Sequence, residues 1–150
     1  MFRIAAMAVA AAAAALPQVG SACAFNRPAD MRLESAYEQG LVVGRAIVAV
    51  ESAHYVQEAE ADMHPYAVTA RTLHAVGARD VPEAVRFERG WGSAACDLGF
   101  EKPGPGERWA IYFWRDNAGR VREWEAYPLD VAIAADPDPA WLYDWLAANP

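Results

Sequence analysis

The sequence predicts a mainly β protein, in which five short strands close into a small barrel with one helix before them and one after. Three observations lead to this prediction. Short segments of alternating apolar residues are separated by turn residues. Helical segments do not alternate with these strands, as a parallel sheet would require. An amphipathic segment stands at each end of the chain's globular part. Five strands closed in one small barrel are the OB-fold type of architecture.

The strands are predicted at residues 41–50, 66–76, 84–88, 108–115 and 121–127. The fourth is the clearest, because Trp109, Ile111 and Phe113 alternate with apolar residues of the opposite face. A strand with two apolar faces is expected to be covered on both sides. Gly44 interrupts the first strand and predicts a bend or bulge there. A polar connection is expected over residues 51–65.

The first helix is predicted over residues 26–39, with Asp30 as its N-cap and Gly40 as its C-terminal cap. The last helix follows Asp138 as N-cap and Pro139 at its first position. Its apolar stripe consists of Trp141, Leu142, Trp145 and Leu146.

Residues 1–22 read as a secretory signal peptide, and residues 23–150 as a single domain. A short positive start at Arg3 is followed by an Ala-rich apolar run, a break at Pro17 and Gly20, and then small residues. The run is too short to span a membrane, which needs about 20 apolar residues. The sequence therefore predicts an exported protein, located in the periplasm or outside the cell.

Acidic residues outnumber basic ones, with 20 Asp and Glu against 13 Lys and Arg, so the formal net charge is −7. Binding to nucleic acid needs a basic surface, and adsorption to anionic lipid needs basic clusters. The composition therefore disfavours both. A further long apolar run is lacking, so no membrane-spanning segment is expected in residues 23–150.

Two cysteines, Cys23 and Cys96, suggest a disulfide in an exported chain. Whether Cys23 remains in the mature chain to form this disulfide depends on where the signal peptide is cleaved. A cut after Ala22 makes Cys23 the first mature residue, whereas a cut after Ala24 removes it. Lipidation of Cys23 is the third alternative, which Gly20 disfavours because a lipoprotein signal usually has Leu at that position.

A set of short segments follows one another in a characteristic order. They are Cys23, the strand 41–46, Phe87-Glu88-Arg89-Gly90, Ser93-Ala94-Ala95-Cys96-Asp97-Leu98, and the apolar strand that begins at Glu107. In order and spacing these segments resemble netrin-like (NTR) modules, among them the N-terminal domains of tissue inhibitors of metalloproteinases. The resemblance covers most of residues 23–130.

The resemblance implies cleavage before Cys23 and a Cys23–Cys96 disulfide, which would stabilise the domain by roughly 4 kcal/mol. It also implies a non-catalytic binding module that contacts an extracytoplasmic protein or an envelope component. In the inhibitors, the free amine and carbonyl of the first cysteine chelate a protease's zinc. Cys23 would take that role in the alternative function, inhibition of a metalloprotease. Two departures weigh against it: Phe25 replaces the family's second cysteine, and Ala24 is small for a pocket-probing side chain.

Candidate binding residues lie near the two cysteines. Trp91 stands between two glycines, and Trp is favoured at the centres of protein interfaces. With it we group Cys23, Ala24, Ala94 and Ala95.

Metal and catalytic sites are not expected. His54, Glu58 and His64 are weak metal candidates, because their spacing matches no zinc or calcium pattern. No cofactor is expected, and nucleophile and phosphate-binding motifs are lacking. Glu123 and Glu125 alternate on one strand and are interpreted as solvated side chains of the outer face rather than paired catalytic acids.

Overall fold

A computed structural model describes residues 27–56, 65–89 and 100–150. Its elements are helix α1 (Ala29–Glu38), strands β1 (Gly44–Tyr55), β2 (Tyr66–Gly77), β3 (Ala84–Arg89), β4 (Arg108–Arg115) and β5 (Val121–Pro128), and helices α2 (Leu129–Ala135) and α3 (Ala140–Ala148). The protein is mainly β, as predicted, and each predicted strand has a counterpart. β1 is the most displaced, since it begins at Gly44 and continues to Tyr55, into the first five residues of the expected polar connection.

The five strands form one antiparallel sheet in the order β3-β2-β1-β4-β5. Because every neighbouring pair is antiparallel, the edge strands β3 and β5 run in the same direction. Over their described residues, no ladder of backbone hydrogen bonds joins these two edges. The five-stranded sheet is therefore established, while closure into a barrel is not.

Apolar residues cover both faces of the sheet. One face carries a core built from alternate residues, among them Val48, Val68, Phe87, Trp109 and Ile111. The opposite face packs against the three helices through a second cluster, whose buried members are Leu33, Ile47, Ala110, Tyr112, Tyr127, Ala132, Trp141, Leu142 and Trp145. β4 contributes to both clusters, which explains its two apolar faces.

The irregularities of β1 occur after Gly44 and not at it. The register with β2 shifts between Ile47 and Val48, and again between Val50 and Ser52. Such bulges increase strand twist and bend a sheet. Gly44 instead lies in a crowded position, where an added Cβ would be 3.1 Å from Cγ2 of Val81. Gly44 therefore marks a position where two chain segments approach each other closely.

The helix ends differ from prediction at two N-termini. α1 follows Pro28 without a side-chain cap, so Asp30 lies inside the first turn. The prediction that Asp138 caps α3 is wrong, because α3 follows Pro139 and the Asp138 carboxylate binds Arg45 at 2.9 Å. Helix α2 was not predicted.

The predicted C-terminal cap of α1 is confirmed. Gly40 has φ of 64°, and the amides of Gly40 and Leu41 donate to the carbonyls of Tyr37 and Ala36. This pair of bonds is a Schellman motif. In the described parts of the chain, no helix has the length and apolar character needed to cross a membrane.

Candidate functional site

Most of the predicted site residues lie outside the described residues. These are the signal peptide 1–22 and Cys23, Ala24, Glu58, His64, Trp91, Ala94, Ala95 and Cys96. The disulfide and the binding role of Trp91 therefore stay predictions. His54 is described, and its side chain is exposed on β1 opposite Ala67 of β2.

The strand register brings three chain segments to one end of the sheet. Tyr55, the last residue of β1, pairs with Tyr66 of β2, and Tyr66 pairs in turn with Arg89, the last residue of β3. The Tyr66 hydroxyl donates to the Phe100 carbonyl at 3.1 Å. We call this the Tyr55 end. The segments 57–64 and 90–99 both depart from it, and the second contains Trp91 and Cys96.

Arg89 joins the two sheet edges through its side chain. Its guanidinium donates to the carbonyl of Ala126 on β5 at 3.3 Å, to the carbonyl of Glu88 at 2.6 Å, and to Oε1 of Glu123 at 2.6 Å. We call the junction of β3 and β5 at these residues the seam. A charged side chain thus takes the place of backbone bonds there. The sequence indicated this position of Arg89. Alternate residues of a strand lie on the same face, so Arg89 lies on the inward face with Val85 and Phe87.

Glu125 forms a second ion pair beside the seam, with Arg32 of α1. The prediction that Glu123 and Glu125 are solvated is wrong. Glu125 is only 5% exposed, and the Glu123 side chain is 21% exposed. Alternation along β5 could not show the bulge at Trp124, which turns Glu123 towards Arg89 at the seam and Glu125 towards Arg32 of α1. A carboxylate in such a position needs a partner, and each has an arginine.

Tyr127 lies near both ion pairs. Its hydroxyl is the one buried side-chain polar atom without a hydrogen-bond partner in the described ranges. Burial raises the pKa of Tyr127, and the nearby charges of Arg32 and Arg89 act against that rise. The Tyr127 hydroxyl is therefore protonated and neutral at neutral pH.

Asp136 is a buried carboxylate that sequence reasoning missed. Its Oδ2 accepts hydrogen bonds from the Tyr112 hydroxyl at 2.8 Å and from Nε1 of Trp141 at 2.9 Å. Its Oδ1 accepts from the backbone N–H of Asp138 at 2.8 Å. Burial and then the Asp136 charge raise the pKa of Tyr112 well above its ordinary value. Through these three hydrogen bonds the Asp136 carboxylate links β4 to α3, which is a structural role.

Arg45 continues this polar network towards the surface. It donates to the Tyr37 hydroxyl at 3.0 Å and to Oδ2 of Asp138 at 2.9 Å, and its guanidinium lies 5.3 Å from the Trp141 ring centroid. The contact connects β1, α1 and α3. Its role is therefore to seat the helices on the sheet.

Two shallow grooves accompany these clusters. One lies between α1 and β5, has a volume of about 170 Å³ and includes Arg27, Arg32 and Trp124 in its lining. The other, of about 390 Å³, lies beside the seam and is lined by Ala67, Arg86, Phe87, Glu88 and Glu123. Within residues 27–56, 65–89 and 100–150, no three His, Cys, Asp or Glu side chains are grouped so that they could hold a metal ion.

No family model, curated protein or solved structure matches the chain.

Proposed function

We propose that the chain is an exported, non-catalytic binding module of the netrin-like OB type. It acts in the periplasm or outside the cell and contacts another protein or an envelope component. The strand order supports the fold part of this proposal. β1 pairs with both β2 and β4, and the edges β3 and β5 meet through Arg89. This is the neighbour relation of a partly open OB barrel.

The observation that carries the proposal is the convergence at the Tyr55 end. Paired residues Tyr55, Tyr66 and Arg89 bring together the departure points of segments 57–64 and 90–99. OB modules bind ligands through one barrel face and its adjoining loops, and binding residues are concentrated on loops held by a rigid sheet. Contact with the partner is assigned to this end.

The described contacts are compatible with the Cys23–Cys96 disulfide. Arg32 of α1 is close enough to Arg89 for their charges to repel, which adds to the lowering of the Arg32 pKa by burial. Arg27 follows Cys23 by four residues, a reach of about 13 Å, and Cys96 follows Arg89 by seven, a reach of about 24 Å. A bridge between these segments is therefore within the reach of the chain.

The ionisable groups of the described clusters have structural partners. Glu125 pairs with Arg32, Glu123 pairs with Arg89, and Asp136 accepts three hydrogen bonds. A catalytic acid or base must instead be within hydrogen-bond reach of a substrate. This engagement supports binding over catalysis.

Site-specific photo-crosslinking in the native host tests the contact surface. A photoreactive amino acid replaces Tyr55, which is 52% exposed, or in the control Trp114, which is 37% exposed on β4 near the opposite end of the sheet. We expect one discrete adduct with an extracytoplasmic protein or envelope polymer from position 55. Equal adducts from both positions, or none from position 55, would contradict the proposal.

The second candidate is inhibition of a metalloprotease through the amine of Cys23. The closeness of Arg32 and Arg89 favours it, since Cys23 precedes Arg32 by nine residues and Cys96 follows Arg89 by seven. Purified mature protein is assayed against a zinc metalloprotease before and after acetylation of its α-amine. Inhibition that acetylation abolishes supports this candidate, whereas a lack of inhibition by the unmodified protein excludes it for that protease.

A further inference from the structure

We infer that the groove between α1 and β5 is a binding site for a carboxylate, the acidic side chain of an exposed segment in a partner protein. The residues that argue for it are Arg27, Arg32, Ser35, Gln39, Leu41 and Trp124. They belong to α1, its flanking residues and β5. The contact proposed at the Tyr55 end uses none of them, so either assignment can fail without the other.

The groove owes its aromatic wall to a bulge in β5. Tyr112 of β4 pairs with Glu125, and the next residue, Phe113, pairs with Glu123. Trp124 is thus the extra residue between two paired ones. A bulge re-aims the side chain of such a residue. Trp124 is partly exposed and lies across the groove from α1.

The opposite wall has two hydrogen bonds at the C-terminal end of α1. The side-chain amide of Gln39 donates to Oγ of Ser35 at 2.8 Å and to the Ser35 carbonyl at 3.0 Å. This arrangement uses the hydroxyl oxygen as an acceptor and leaves its O–H to donate to a ligand. Arg32 is fixed from below by its ion pair with Glu125. The ion pair of Arg32 therefore orders part of the groove before a ligand binds.

The charge of the groove determines the class of ligand. Its lining contains two arginines and no acidic residue, although the chain as a whole carries −7. Arg27 is exposed and has no ion-pair partner in the described part of the chain. Guanidinium groups bind carboxylates through paired, charge-assisted hydrogen bonds. Arg27 and the Ser35 hydroxyl are the donors that meet the ligand.

The size and apolar wall limit the ligand further. A volume of about 170 Å³ accommodates one side chain and not a helix or a strand. Trp124 and Leu41 offer apolar surface for a short methylene stem, while the cationic side receives the charged end. A glutamate or aspartate side chain has this combination. The occupant is therefore an acidic residue that projects from a partner protein.

The test follows the indole N–H resonance of Trp124 in the isotopically labelled mature protein, assigned by the variant Trp124→Phe. The probe is N-acetyl-glutamate N-methylamide, and the neutral control is the corresponding glutamine compound. We expect a saturable shift with the glutamate probe alone, which weakens as salt is raised. Arg27→Gln should weaken binding about tenfold, which corresponds to about 1.4 kcal/mol, because it removes a charge-assisted hydrogen bond.

Arg86→Gln is the matched control, because it removes the same charge from an exposed residue of β3 and lies outside this groove. It should leave the affinity unchanged. An equal shift with the glutamine compound, or equal weakening by both substitutions, would overturn the assignment. Inorganic phosphate is titrated in parallel, and binding as tight as that of the glutamate probe would also overturn the carboxylate class.

Discussion

At the scale of single residues, the buried carboxylate of Asp136 depends strongly on its hydrogen-bond partners. A carboxylate removed from water is stable only when its hydrogen bonds are made inside the protein. Here the donors come from Tyr112 and Trp141, whose own polar atoms are buried with it. Each group therefore depends on the others, and removal of the shared acceptor leaves the two side-chain donors and the backbone N–H of Asp138 without their partner.

We predict that Asp136→Ala lowers the free energy of unfolding by roughly 2–4 kcal/mol, because each buried unpaired donor costs about 1–3 kcal/mol. Asp136→Asn retains one acceptor oxygen and should cost less. The control Asp144→Ala, at an exposed position of α3, should stay within about 0.5 kcal/mol of the parent. Urea denaturation measures all three. Equal effects of the Ala and Asn substitutions at position 136 would contradict the network.

Asp116 predicts a pH dependence at the hairpin between β4 and β5. The backbone N–H of Arg120, and then the side chains of Arg122 and Arg120, hold the pKa of Asp116 at about 2, below its ordinary 3.8. A lowered pKa gives stability that is present above about pH 4 and is lost as the pH falls through 2. Thermal unfolding of the parent and of Asp116→Asn should therefore differ most near pH 5 and converge near pH 2. A constant difference across that range would refute the assignment.

At the scale of elements, strand periodicity located β4 and β5 well, because both faces of β4 are apolar and the Asp116 turn is short. Periodicity could not predict the features that depend on tertiary contacts. α2 has seven residues and follows β5 directly, so it carries too short a pattern to recognise. The burial of Glu125 depends on where α1 packs, which alternation along one strand does not contain.

The seam, where β3 and β5 meet, is the contact between elements whose loss is most directly measured. We predict that Arg89→Ala speeds amide hydrogen exchange in β3 and along β5, because its guanidinium bonds to Ala126 and Glu123 are the described links between these edges. Arg86→Ala, on the outward face of the same strand, is the matched control and should leave exchange unchanged. Equal protection in the parent and in Arg89→Ala would mean that other contacts hold the edges together.

At the scale of the whole molecule, the sequence predicted a mainly β domain flanked by helices, and this is what the described residues form. The candidate site was less accessible to prediction. Trp124 is about 90 residues from Arg27 and Arg32 in the chain, and only the packing of α1 beside the β5 bulge brings them together. Cys23, Trp91 and Cys96 were selected by motif and lie outside the described residues.

We propose that the whole molecule is an exported module closed by a Cys23–Cys96 disulfide. Intact mass and N-terminal sequencing of the protein exported by its own host, with and without reduction, test it most directly. We predict a chain that begins at Cys23, carries no acyl group and is two hydrogens lighter before reduction than after. A chain that begins at Phe25 with a free Cys96, one acylated at Cys23, or one that keeps residues 1–22 would contradict the claim.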